Sequence, residues 1–196
     1  MPRWEPDARQ RLVTAALRLF SEQGYDNTTV AQIADSAGLT RSTFFRHFPD
    51  KREVLAAGQE VLAELFTTGI AAAPEDATAL DAVEHGLTTA GAAMTPFNRE
   101  LAPRMQAVVA SSAELRERDQ LKHVGLAASM AEALRARGVS QAVAALAGDI
   151  GVLAFNDAYA EWVREGDEGD KSDEGDLVGL LRAAMSRLRS AVAELG

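Results

Sequence analysis

The stretch TVAQIADSAGLTRSTFFRHFPDKREVL, Thr29 to Leu55, decides how this chain folds. Thr29-Val30-Ala31-Gln32 has the form of a capping box, in which the Thr hydroxyl and the Gln side chain satisfy each other's exposed backbone donors. Val30, Ile33, Ala34 and Ala37 then recur at helical spacing, and Gly38 is the residue that turns left-handed and stops the helix. Thr40 stands as the N-cap of a further helix, Arg41-Ser42-Thr43-Phe44-Phe45-Arg46-His47-Phe48, which Pro49 closes. A short helix, a Gly turn and another short helix make a helix-turn-helix unit.

Upstream, Asp7-Ala8-Arg9-Gln10 is another capping box behind Pro6, and Leu12, Val13, Ala16, Leu17 and Phe20 mark an amphipathic helix that ends near Gly24. The helix after the Gly turn divides by face. Leu39, Phe44 and Phe48 pack inward, which leaves Arg41, Ser42, Thr43, Phe45, Arg46 and His47 mostly outward with no carboxylate among them. That face suits the major groove of DNA, where phosphate contacts orient a helix and Arg, Ser or Thr read base edges. A solvated face on an ordinary bundle is the plain alternative. The capped helix and the Gly turn in front of it favour the groove.

The stretch resembles the N-terminal DNA-binding domain of the TetR family of bacterial transcriptional repressors, over roughly residues 8–57. The resemblance implies that Thr29 donates to a phosphate at the start of its helix. It also implies that Arg41, Ser42 and Thr43 face the major groove, that Phe45 and His47 touch the backbone, and that Lys51 meets a phosphate at the start of the fourth helix. Position 45 is usually Tyr in that family, so Phe45 lacks the hydroxyl that would bond a phosphate and keeps apolar contact with a thymine methyl. Thr40 and Arg46 complete the candidate DNA-binding set, and Arg3 is a weaker candidate in an N-terminal arm.

Around this head the chain is 196 residues long, with a net charge of -9, 47% hydrophobic residues and no cysteine. That composition excludes a disordered, collagenous or disulfide-stapled protein, and thiolate metal sites with it. No uninterrupted apolar run reaches membrane length and the first residues lack a signal peptide's apolar core, so a cytoplasmic protein with no membrane partner is expected. Thirty-eight Ala and 21 Leu point to an all-α chain. The charge is uneven: residues 1–55 sum to +1 and the rest to -10, an acidic protein with a neutral-to-basic head.

The expected organisation is a three-helix DNA-binding domain over residues 1–50 and a helical sensing and dimerisation domain over 51–196. A fourth helix opens at Asp50-Lys51-Arg52-Glu53 and ends by Pro74. Further helices are expected at about 76–93, 97–110 with an interruption at Pro103, 112–137 from a capping box at Ser111, 140–165 and 175–195. In the last, Leu177, Leu181, Ala184, Leu188, Ala191 and Leu195 form a heptad seam. With Val143, Ala147, Ile150 and Ala154 before it, and Gly148 and Gly151 allowing close approach, the last two helices suit a homodimer interface. Packing within one chain is the alternative for either helix taken singly. The acidic run from Gly166 to Asp176 lacks the order of a calcium loop and is read as a solvated, mobile linker, so no metal is expected.

A sensor's middle helices enclose a pocket, and the candidate lining is Phe97, Leu101, Met105, Val108, His123, Phe155, Asn156, Tyr159 and Trp162. Phe66, Leu121, Val124, Met130 and Arg104 are further candidates, and core packing is the plainer reading of each taken alone. The stretch from Leu101 to Trp162, including ASSAELRERD and AYAEW, is similar to the TetR subgroup associated with acyl-CoA-like ligands. His47, His85 and His123 are scattered and there is no Gly-rich phosphate loop, His-Glu-x-x-His or Gly-x-Ser-x-Gly, so neither catalysis nor a cofactor is expected. The whole reads as a ligand-responsive repressor that binds a palindromic operator on double-stranded DNA as a homodimer and is released by a small effector. A helical adaptor that never touches DNA is the competing reading.

Overall fold

The computed structural model describes residues 8–56, 58–167 and 176–194, and within them the chain forms ten helices and no strand. They are α1 (Ala8–Gln23), α2 (Val30–Ser36), α3 (Arg41–His47), α4 (Glu53–Ala56), α5 (Gln59–Ala72), α6 (Ala79–Ala93), α7 (Pro96–Ser111), α8 (Ala113–Ala136), α9 (Gln141–Asp167) and α10 (Leu177–Glu194). The all-α expectation holds. The capping box at Asp7, Arg3, and most of the acidic run after Gly166 lie outside the described residues.

The chain divides into two compact units, residues 1–58 with 101–119, and residues 59–100 with 120–196. A single boundary after residue 50 was the expectation; the division differs because Leu101, Val108 and Leu115 are buried in the core of the N-terminal unit. In that unit the apolar stripe of α1 (Leu12, Ala16, Leu17, Phe20) closes on Ile33 of α2, Phe44 of α3 and Val54 of α4. Gly24 and Gly38 take positive φ of 86° and 65°, the conformation that ends a helix at little steric cost. α7 runs unbroken through Pro103, where an interruption was expected, so the helix forgoes one backbone hydrogen bond.

In the second unit α5 and α6 touch backbone to backbone, since a Cβ built on Gly69 would stand 2.7 Å from Gly86 Cα. Phe66, Leu87, Met130, Leu134, Leu181 and Met185 form the centre of its core. Thr78 and Asp81 close a capping box on α6. Arg189 ties α10 to α6 through Asp81 and Glu84, each 2.9 Å away. Gly148 and Gly151, expected to serve an interface of the last two helices, pack within the chain instead: a Cβ at Gly148 would stand 2.5 Å from the Ala127 carbonyl oxygen of α8, and one at Gly151 would meet the Val83 and Met130 side chains.

The seam of the last helix is covered as far as Leu188, and Ala191 beyond it is exposed. Leu177, Leu181 and Ala184 are buried in the second unit's own core and Leu188 packs against it, as are Ala147, Ile150 and Ala154 of α9. Leu195 lies outside the described residues. The large apolar side chains these two helices leave exposed are Val143, Leu146 and Leu153 on α9 and Val192 on α10. Residues 53–72 reach the length and mean hydropathy of a membrane span by composition alone, but Leu62, Phe66 and Ile70 within them are core residues.

Candidate nucleic-acid interface

α2 begins as its capping box dictates. Thr29 Oγ1 accepts from the Gln32 N–H at 3.3 Å, and the Thr29 N–H donates to Gln32 Oε1 at 2.8 Å. The Thr29 hydroxyl donates to the same oxygen at 2.9 Å, so both its proton and a lone pair are engaged within the head. Gln23 Nε2 extends the network to Gln32 Oε1 at 3.3 Å and Thr28 Oγ1 at 3.1 Å. Thr40 likewise caps α3, accepting from the Thr43 N–H at 3.1 Å, with the two hydroxyls 2.9 Å apart.

On α3, Phe44 is buried and Phe45 stands half exposed, its ring edge-on to Phe44 at 5.6 Å. Phe48, just past the helix, is buried as well, while Leu39 and His47 are half-buried. Arg41, Ser42 and Arg46 are exposed, with no hydrogen bond or ion pair among the described residues, and Thr43 is half-buried. α3 therefore presents two free guanidinium groups and hydroxyls with no carboxylate on the same helix. An Arg fork matches the O6/N7 edge of guanine bidentately, and Ser and Thr hydroxyls serve as donor or acceptor to either base edge or phosphate.

The frame behind this face is held by two arginines that the sequence reading passed over. Arg11 Nη2 donates to the Ala37 carbonyl at 2.5 Å, pinning the turn between α2 and α3, and Arg18 Nη2 donates to Ser36 Oγ at 2.6 Å. Their spacing of seven residues puts both on one face of α1, which is the signal that could have found them. Asp50 caps α4 by accepting from the Arg52 and Glu53 N–H groups at 2.7 and 3.1 Å. The Arg52 side chain, 2.6 Å from Asp50 Oδ2, holds that carboxyl below its ordinary pKa, helped by the same backbone donors and opposed by burial.

Lys51 is not turned outward. Its ammonium donates to the main-chain oxygens of Tyr25 at 2.7 Å, Thr28 at 3.0 Å and Asp26 at 3.4 Å. It also sits 4.2 Å from the centre of the Tyr25 ring.

The nine candidate pocket residues do not gather in one unit. Leu101 and Val108 are buried in the core of the N-terminal unit and Met105 packs against it, whereas Phe97, His123, Phe155, Asn156, Tyr159 and Trp162 belong to the second. There an aromatic column runs from Phe66 to Phe155 at 5.3 Å, Tyr159 at 5.6 Å and Trp162 at 5.7 Å. Arg99, absent from the sequence-derived set, lies over the Trp162 ring at 5.4 Å and donates from Nε to the Trp162 carbonyl at 2.7 Å. Burial pushes the Tyr159 phenol up to about 12. Phe97 is 36% exposed, Leu121 63% and Val124 67%, so these three line no closed core.

Residues 12–57 match the family described as bacterial regulatory proteins, tetR family. The HTH-type transcriptional regulator TcmR of Streptomyces glaucescens is 39% identical over 75 residues, 38% of this chain and 33% of that protein. The chain thus spans about a third or less of the length of the first curated relatives it matches. Among solved structures, the transcriptional regulator FadR from Bacillus subtilis in complex with stearoyl-CoA is similar with a TM-score of 0.57. That match covers 90% of this chain and 95% of the other at 19% identity. FadR from Thermus thermophilus in complex with lauroyl-CoA, described as a TetR-family repressor, gives a TM-score of 0.53 over 91% of each chain at 23% identity. At those identities the two structures establish a shared fold.

Proposed function

We propose, on the premise that residues 12–57 are a TetR-family DNA-binding domain, that the chain is a cytoplasmic, ligand-responsive transcriptional repressor. A homodimer formed through α9 and α10 presents two copies of α3 to a palindromic operator, and a small apolar or acyl-CoA-like effector releases it. The observation that carries this reading is the exposed face of α3: Arg41, Ser42 and Arg46 stand free on a helix with no carboxylate, behind a capped helix and a Gly turn. Thr43 and His47 flank the same face, and Phe45 supplies an apolar contact. The effector class is supported by the aromatic column of the second unit and by the acyl-CoA complexes of the two similar folds. An effector acts by binding the released conformation more tightly than the DNA-bound one, and no covalent step is involved.

The test is selection of duplexes from a random DNA pool by the purified protein, followed by salt and acyl-CoA titrations on the winning sequence. Enrichment of a palindrome whose affinity falls steeply with salt, and which a long-chain acyl-CoA releases, supports the whole reading. Arg41→Ala should then relax preference at one base position per half-site by about 1–3 kcal/mol. A folded protein that enriches no sequence at low salt overturns the reading in favour of a helical adaptor.

A further inference from the structure

An ammonium group has three N–H donors and no acceptor. In Lys51 three main-chain oxygens lie within reach of those donors, Tyr25 O at 2.7 Å, Thr28 O at 3.0 Å and Asp26 O at 3.4 Å, and the Tyr25 ring approaches the same nitrogen at 4.2 Å. The charge is therefore enclosed by the turn between α1 and α2. Within the turn the Thr28 N–H donates to the Tyr25 carbonyl at 3.2 Å, the Thr28 hydroxyl to the Gly24 carbonyl at 2.8 Å and Asn27 Nδ2 to the Gln23 carbonyl at 3.0 Å, and Lys51 is the tie that comes from outside it. Tyr25 is buried against Phe20 at 5.1 Å between ring centres, and Thr28 is buried and accepts from Gln23. Thr29, the next residue, is the N-cap of α2. Lys51 itself is fixed from the other side, because Asp50 next to it caps α4. One side chain thus ties the start of α4 to the residues that set where α2 begins.

We propose that Lys51 is a positioning residue of the DNA-binding head, acting by fixing the Tyr25–Thr28 turn that places Thr29 and α2, and not by touching a phosphate. The proposal rests on the DNA-binding reading and deepens it. A compact ammonium that serves three carbonyls from one nitrogen is poorly replaced by arginine, whose donors are spread over a planar fork. A lysine that served as a phosphate contact could be replaced by it, since a guanidinium meets phosphate at least as well.

The experiment compares the full chain with Lys51→Met and Lys51→Arg on the selected operator. Affinity is measured against salt at a temperature where circular dichroism shows each protein folded. Positioning predicts that both variants lose on the order of tenfold in operator affinity, while the slope of log affinity against log salt stays as in the wild type. A slope lowered by about 0.9 per site in Lys51→Met, with affinity kept in Lys51→Arg, overturns the proposal and makes Lys51 a phosphate contact. Wild-type affinity in both folded variants overturns it too, leaving Lys51 a purely structural group. Amide hydrogen exchange without DNA keeps the question separate from the operator: faster exchange at Thr28 to Val30 in Lys51→Met supports the staple, and unchanged exchange sinks it even if no operator is ever found.

Discussion

Phe45 stands 50% exposed on the same short helix as the free Arg41 and Arg46, with its ring against Phe44. The TetR resemblance implies a phosphate partner at this position that Phe cannot bond. Phe45→Tyr should therefore leave the melting temperature unchanged and tighten operator binding by about 1 kcal/mol, the net worth of one added hydrogen bond. Titration of both proteins on one duplex checks this, and weaker binding by the Tyr variant would remove Phe45 from the interface. At this scale the sequence is informative wherever a side chain signals its own partner. Thr29 with Gln32, and Thr40 three residues before Thr43, announce their caps by type and spacing. The enclosure of Lys51 is illegible for the opposite reason. Its acceptors are backbone oxygens 23 to 26 residues earlier, and every residue carries one.

Two helix starts carry an acid sensitivity. Asp50 at the start of α4 and Asp81 in the first turn of α6 both sit below the ordinary carboxylate value of 3.8, Asp50 chiefly through Arg52 and Asp81 chiefly through the Thr78 hydroxyl. A carboxylate whose folded pKa lies below its unfolded one contributes stability that is complete above the unfolded value and is lost as pH falls through the folded one. Urea melts should thus show stability declining below about pH 4. Asp50→Asn and Asp81→Asn should each make that decline shallower, and an unchanged slope in both would locate the acid sensitivity elsewhere. The caps at Thr29, Thr40 and Asp50 were readable because the capping residue and its target are three residues apart or closer. The continuity of α7 through Pro103 and the burial of Leu101, Val108 and Leu115 with the head were not. Periodicity shows that a face is apolar without showing which apolar face it meets.

The same ambiguity decides which apolar surface is left free, because α9 carries apolar side chains on two faces. The heptad seam of α10 is the conspicuous one, yet Leu177, Leu181 and Ala184 are core residues of the second unit. The face left over is on α9, where Val143, Leu146 and Leu153 are 50%, 57% and 59% exposed at steps of three and seven residues along one side of the helix. Two predictions separate these faces. Leu181→Asp places an unpaired charge in a filled core and should unfold the chain. Leu146→Glu with Leu153→Glu alters only exposed positions, so each protomer should keep its melting behaviour within about 0.5 kcal/mol per site. In the dimeric reading that double variant buries four like charges across the two-fold axis and should sediment as a monomer where the wild type sediments as a dimer. A monomer engages one half-site at a time and forfeits the effective concentration that couples two heads, so its operator affinity should fall at least about a hundredfold while its contact with a single half-site persists. Sedimentation and operator titration on the same samples test both steps. A double variant that remains dimeric and still binds the full operator would exclude this face of α9 as the interface between the two copies.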